Sequence, residues 1–181
     1  MASRPRRFPR AAGFTLVEVL TTVSLFGVIG AVAVTNYRAQ IPAFRVRGAA
    51  LLVAGDMNQA RLAAIKESRI YQLLPLGGTG YQIRRDDRAG GMEVVKQVDI
   101  ASEFTGVTFG RTGIDTDPYG NDVAAAVPAA AIVFHSNGTV QGPAAFFVEE
   151  ATSGDERAQS GVTLTSAGRI RVWRYQGEHW S

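Results

Sequence analysis

One apolar run, FTLVEVLTTVSLFGVIGAVAV over residues 14–34, constrains this chain more than any other feature. It is 21 residues long with one ionisable group, Glu18, and as an α-helix it extends roughly 31 Å, about one hydrocarbon core. The run therefore predicts a transmembrane helix. Arg4, Arg6, Arg7 and Arg10 precede it, and no basic residue follows until Arg38. That asymmetry predicts a cytoplasmic N-terminus and an exported remainder. An ordinary secretory signal is cut after its apolar region, where AVAVTNYRA offers small residues, but that reading leaves Glu18 unexplained. A carboxylate at the centre of a membrane helix costs about 2.5–3.5 kcal/mol on insertion scales. The run holds no Lys, Arg or His to pair with it, so its partner is expected outside this chain.

The basic balance says less than it first suggests. The formal charge over 181 residues is +3, and without the four leader arginines it falls to −1. The basicity is thus mostly topogenic rather than a broad field for nucleic acid. With no cysteine, no disulfide framework or thiolate metal site exists. At this length the chain holds one ordinary domain plus the membrane segment.

Beyond the span, Pro42 interrupts the helical pattern and predicts a kink or a fresh helix start. Val46, Ala50, Val53, Met57, Ala60 and Ala64 then recur at alternating spacings of four and three, the stripe of a helix laid on a core. Arg45, Arg47, Asp56, Arg61, Lys66 and Glu67 lie mostly off it, and Gly48 and Gly55 weaken it locally. After Tyr71 the pattern becomes strand-like: YQLLPL, YQIRR, MEVVKQV, GVTF, AAIVF, AAFFVEE and residues 161–175. Turn residues separate them, at Gly77-Gly78, residues 86–91, Ser136-Asn137-Gly138, Ser153-Gly154-Asp155 and Ala167-Gly168. The longest irregular stretch is residues 110–128. The expected fold is α+β: a long N-terminal transmembrane helix continuing into a head, where it packs on an antiparallel β-sheet or β-sandwich. The corresponding segments are a basic leader at 1–13, the transmembrane helix at 14–34, its periplasmic continuation at 35–70 and a β-rich head at 71–181.

Little here carries catalysis. His135 and His179 are the only imidazoles, too few for a histidine metal site, and no serine stands in a nucleophile-elbow context. Gly77-Gly78-Thr79-Gly80 lacks the lysine of a phosphate loop. The chain reads as non-enzymatic and without a cofactor. Asp115, Asp117, Asn121 and Asp122 crowd one loop. That density of hard oxygen ligands suits either calcium or a solvated turn. At the C-terminus, period two turns Arg169, Arg171, Trp173 and Tyr175 outward together if Val162, Leu164, Ile170 and Val172 face the core. Arg157, Arg169, Arg171 and Arg174 against Glu178 leave the last 25 residues at +3. Guanidinium groups among aromatics suit phosphate contact and base stacking. A solvated edge hairpin or a subunit-docking surface fits the same residues.

Arginine-rich leader, Gly13, then Phe14-Thr15-Leu16-Val17-Glu18 resembles the class III signal of type IV pilins and of the pseudopilins of type II secretion systems. The resemblance implies cleavage by a prepilin peptidase between Gly13 and Phe14, N-methylation of Phe14, and a Glu18 that meets the N-terminal amine of a neighbouring subunit. Residues 132–138, IVFHSNG, and 161–171, GVTLTSAGRIR, resemble the GspH/FimT branch of minor pseudopilins. That branch implies an N-terminal helix packed on a β-sandwich-like head, held in the inner membrane with the head periplasmic, from which it is drawn into a pseudopilus or pilus. The implied partners are other pseudopilins or minor pilins and the prepilin peptidase. Two roles follow: a structural subunit at the tip of a type II secretion pseudopilus, or a minor pilin that binds DNA for natural transformation. For the second, Gly168-Arg169-Ile170-Arg171 matches the Gly-Arg-x-Arg string of FimT-like pilins, with Arg169, Arg171, Trp173, Arg174 and Tyr175 as the DNA-binding candidates.

Overall fold

The computed structural model describes residues 13–123, 125–141, 144–151, 158–175 and 179–181, with the side chains of 35, 36, 38 and 39 not described. Helix α1, Leu16–Glu67, is followed by β1 Tyr71–Gly77, β2 Gly80–Asp86, β3 Met92–Asp99 and the short α2 Ile100–Glu103. Then come β4 Val107–Phe109, β5 Ile132–Phe134, β6 Ala144–Glu150, β7 Gln159–Leu164 and β8 Ile170–Tyr175. Two compact units result, Met1–Gln40 and Ile41–Ser181.

In the first unit, Leu16–Val34 has a mean hydropathy of 2.1 and is wholly exposed. Its few hydroxyls are spent on its own backbone: Thr22 Oγ1 donates to Glu18 O at 2.6 Å, Thr21 Oγ1 to the same oxygen at 3.0 Å and Ser24 Oγ to Leu20 O at 2.8 Å. Such bonds let polar side chains reside in an apolar helix.

In the second unit, the helix lays Val46, Ala50, Val53, Met57, Ala60 and Ala64 into the core, each at most 2% exposed, as the sequence spacing requires. Gly48 lies under the Phe104 ring, where a Cβ would come within 2.6 Å of it. That contact accounts for glycine at a helical position. No new helix starts at Pro42, because α1 runs through it; the cost is the one amide bond that proline cannot donate. The helix ends in a Schellman arrangement, with Arg69 N–H donating to Ala64 O at 3.1 Å and Ser68 N–H to Ile65 O at 3.4 Å.

Two four-stranded antiparallel sheets complete the head, in the orders β3-β2-β1-β5 and β4-β6-β7-β8. Leu73, Tyr81, Ile83 and Phe134 of the first join Val107, Phe146, Val148, Val162 and Leu164 of the second, with the helix, in one core. A smaller cluster of Ile114, Phe147 and Tyr175, with Trp180 against it, lies apart. All the strand segments expected from the sequence are present, and residues 161–175 form a hairpin. The turn at Ser153-Gly154-Asp155 lies outside the described residues.

Candidate functional site

The N-terminal site begins at a helix cap. Thr15 Oγ1 accepts the Glu18 N–H at 3.2 Å, and Val19 N–H donates to Thr15 O at 3.2 Å, so Thr15 is the N-cap and Glu18 stands in the first turn. The Thr-x-x-Glu spacing was readable as a capping signature but is hidden inside the apolar run. It sets Glu18 at the edge of the helix, where insertion costs less than at the centre and the helix dipole favours a carboxylate. Gly13 and Phe14 precede the cap as exposed, non-helical residues. The leader arginines lie outside the described residues.

The C-terminal hairpin pairs Leu164 with Ile170, Thr163 with Arg171, Val162 with Val172, Gly161 with Trp173, Ser160 with Arg174 and Gln159 with Tyr175. Its turn closes through Gly168 N–H on Thr165 O at 2.8 Å and Thr165 N–H on Arg169 O at 3.0 Å, with Gly168 at φ +78°. A three-residue loop ending on a left-handed glycine is a standard hairpin closure. Val162 and Leu164 face the core with Ile170 and Val172 against it, so the expected period holds.

The opposite face is not the open row that period two alone predicts. Arg169 is exposed and Arg171 half-buried, its guanidinium carbon 5.5 Å from the centroid of the Trp173 ring. Trp173 is half-buried as well: its Nε1 donates to Thr163 Oγ1 at 2.8 Å and its ring meets the Tyr119 ring edge-on at 5.8 Å. Tyr175 is buried at 8% exposure, its ring tilted at 53° against Trp180 with centroids 5.0 Å apart, its hydroxyl donating to Gly113 O at 3.4 Å. The expectation that Tyr175 points outward is therefore corrected. Residues 111–123 and Trp180 fold over that end of the sheet, and nothing in the strand's own periodicity announces them. Arg174, on the other parity, is exposed, and its backbone pairs with Ser181. Arg157 and Glu178 lie outside the described residues.

The acidic loop is tied to itself. Asp117 Oδ1 accepts the N–H groups of Tyr119 and Asn121, both at 2.9 Å, and its Oδ2 accepts Asn121 Nδ2 at 2.9 Å. Asp115 turns to Arg111 at 3.9 Å. Among the described residues, no three His, Cys, Asp or Glu side chains gather as metal ligands. Asp117 and Asn121 thus belong to a hydrogen-bonded turn.

One polar cluster escaped the sequence reading. Asp56, set among the core positions Val53, Met57 and Ala60, is 4% exposed. It accepts the Tyr81 hydroxyl at 2.7 Å and Lys96 Nζ at 2.7 and 2.8 Å. Burial first, and the Asp56 carboxylate second, push the Tyr81 hydroxyl well above the ordinary tyrosine range. A charge on the apolar stripe was the available signal.

Residues 8–34 match the family model described as the prokaryotic N-terminal methylation motif. No curated protein matches the chain in sequence. The structure is similar to that of the minor pseudopilin EpsH from the type II secretion system of Vibrio cholerae, with 14% identity and a TM-score of 0.50 over 72% of this chain and 97% of that one. It is also similar to the type IV minor pilin FimU of Pseudomonas aeruginosa PAO1, with 16% identity and a TM-score of 0.48 over 75% and 92%. A prokaryotic N-terminal methylation motif on a long apolar helix is thus followed, in this chain, by a head of pilin-like fold.

Proposed function

We propose that the chain is a non-catalytic minor pseudopilin, anchored in the inner membrane with its head in the periplasm and drawn into the tip of a type II secretion pseudopilus. Residues 1–13 are the leader, removed by a prepilin peptidase between Gly13 and Phe14, after which Phe14 is N-methylated. Residues 14–34 anchor the subunit, 35–70 carry the helix onward and 71–181 supply the head. The observation that carries this reading is the methylation motif over residues 8–34 joined to a head with the fold of a minor pseudopilin.

Glu18 is the assembly residue. Its carboxylate stands at the first turn of an exposed apolar helix, four residues past the new N-terminus that cleavage after Gly13 creates. A neighbouring subunit's terminal amine is a cation of the right charge, and in a low-dielectric helix bundle the pair holds far more strongly than in water. The test is mass spectrometry of the membrane-extracted protein together with a Glu18→Ala variant. The expected mass begins at a methylated Phe14. The variant is expected to insert and be cleaved normally yet be depleted from sheared filaments. An intact leader in peptidase-positive cells, or undiminished incorporation of Glu18→Ala, refutes the reading.

The exposure of Arg169 at the Gly168 turn and of Arg174 near the other end of β8 favours a second reading, a FimT-like minor pilin whose hairpin holds DNA phosphates. It differs in partner, not in anchoring or processing, and is separated by retardation of DNA with the purified protein.

A further inference from the structure

The first basic residues beyond the anchor are Arg38, Arg45 and Arg47, and no acidic residue occurs between Glu18 and Asp56. Within the head, Phe44, Arg45 and Arg47 are all exposed, the Phe44 ring at 63%. Phe44 and Arg47, three residues apart on a helix, are neighbours on its surface and lie off the stripe that Val46, Ala50 and Val53 bury. Among the described residues neither guanidinium is in an ion pair. Arg45 Nη1 donates to Thr105 O at 3.3 Å, which leaves most of its donors for another acceptor.

We infer that Phe44, Arg45 and Arg47 form a contact surface for the anionic phospholipid headgroups of the membrane that anchors the chain. The inference rests on the anchored reading above. Arg45 and Arg47 follow Val34 by only 11 and 13 residues, a helical chain length of roughly 17–20 Å, and the headgroup layer takes up about 5–8 Å of such a length. Long side chains reach back toward the interface, and a Debye length of about 10 Å at 0.1 M salt leaves both charges within the surface potential. An exposed aromatic beside cations is the composition that interfacial segments use. Processing sharpens the effect. While the leader is attached, four arginines flank the span on its other side. Once it is removed, Arg38, Arg45 and Arg47 are the basic side chains nearest the anchor, and the four leader arginines no longer balance them across the membrane.

The test places the processed full chain in nanodiscs of phosphatidylglycerol and phosphatidylethanolamine in equal amounts and identifies the lipids that remain bound on release into a mass spectrometer. Unmutated protein is expected to retain phosphatidylglycerol preferentially, with a preference that declines as salt rises. Arg45→Gln with Arg47→Gln is expected to cut that preference about fivefold or more. Arg169→Gln with Arg174→Gln, an equal charge loss on the C-terminal hairpin, is expected to leave it unchanged. An unaltered preference in the first pair, an equal loss in the second, or a preference indifferent to salt overturns the inference. Carbonate extraction reports separately on anchoring: a chain that never inserts removes the anchored reading and this inference together, whereas an inserted chain without lipid preference removes this inference alone.

Discussion

Asp56 shows how much one side chain asks of its surroundings. A carboxylate almost wholly out of water is tolerable only when paired and hydrogen-bonded, and here Lys96 from β3 and Tyr81 from β2 close on it from the sheet, tying helix to strands by charge as well as by apolar contact. Lys96→Met strands the carboxylate. Because the lysine side chain is 41% exposed, the expected loss is about 1–3 kcal/mol rather than the full penalty of a buried pair, measurable by urea denaturation of the intact protein in detergent. Tyr81→Phe removes one charge-assisted bond and is expected to cost about 1–2 kcal/mol. Tyr81 also sets a direction for pH. Its folded-state pKa lies above its unfolded one, so the stabilisation is complete below the unfolded value of about 10 and is lost as pH rises past it. Thermal melts of the wild type are therefore expected to fall above about pH 10, and Tyr81→Phe to flatten that fall. An equally steep fall in the variant assigns the alkaline loss to other groups.

At the scale of elements, the two turns that bound the working surfaces differ in how well their residues suit them. Ser68 ends α1 at φ +52°, a conformation that a side chain disfavours by about 1–2 kcal/mol. Ser68→Gly is expected to raise stability by about 0.5–1 kcal/mol in the same denaturation measurement, the gain being partly offset by the freer unfolded chain. Gly168 is the opposite case: a Cβ there would meet Gly138 O at 2.6 Å and the Arg61 guanidinium besides, while Arg61 Nε is held on Gly138 O at 2.8 Å. Gly168→Ala is expected to cost about 2–3 kcal/mol and to loosen the hairpin. These elements were legible to unequal degrees, for physical reasons. The helix stripe and the strand segments announce themselves because one buried face imposes a period of 3.6 or two. The covering of β8 does not, since residues 110–128 follow no period, and only the folded chain brings Ile114, Tyr119 and Trp180 over Trp173 and Tyr175. At Pro42 the local breaker signal starts no new helix, and α1 continues through it.

For the whole molecule, anchoring and pilin-like architecture follow from signals that do not depend on tertiary contacts: an apolar run, a leader and a helix followed by strands. The partner is different, because it depends on which charges and rings are left at the surface. After Val34 the chain has 15 basic and 15 acidic residues, so the part beyond the span has no net positive charge to draw in DNA, and any binding must come from local contacts. Base stacking by Tyr175 is excluded by its burial, and Trp173 is engaged with Thr163, Arg171 and Tyr119. What the hairpin still offers a nucleic acid is phosphate contact through Arg169 and Arg174. If the DNA-uptake reading holds, the full protein retards DNA only at low salt, Arg169→Gln with Arg174→Gln lowers the salt slope by roughly one to two, and Trp173→Ala leaves affinity unchanged after correction for folding. A stacking surface instead predicts a loss of about 1–3 kcal/mol on Trp173→Ala. If the unmutated protein shows no retardation at low salt, the phosphate contacts are absent too, and the DNA-uptake reading fails.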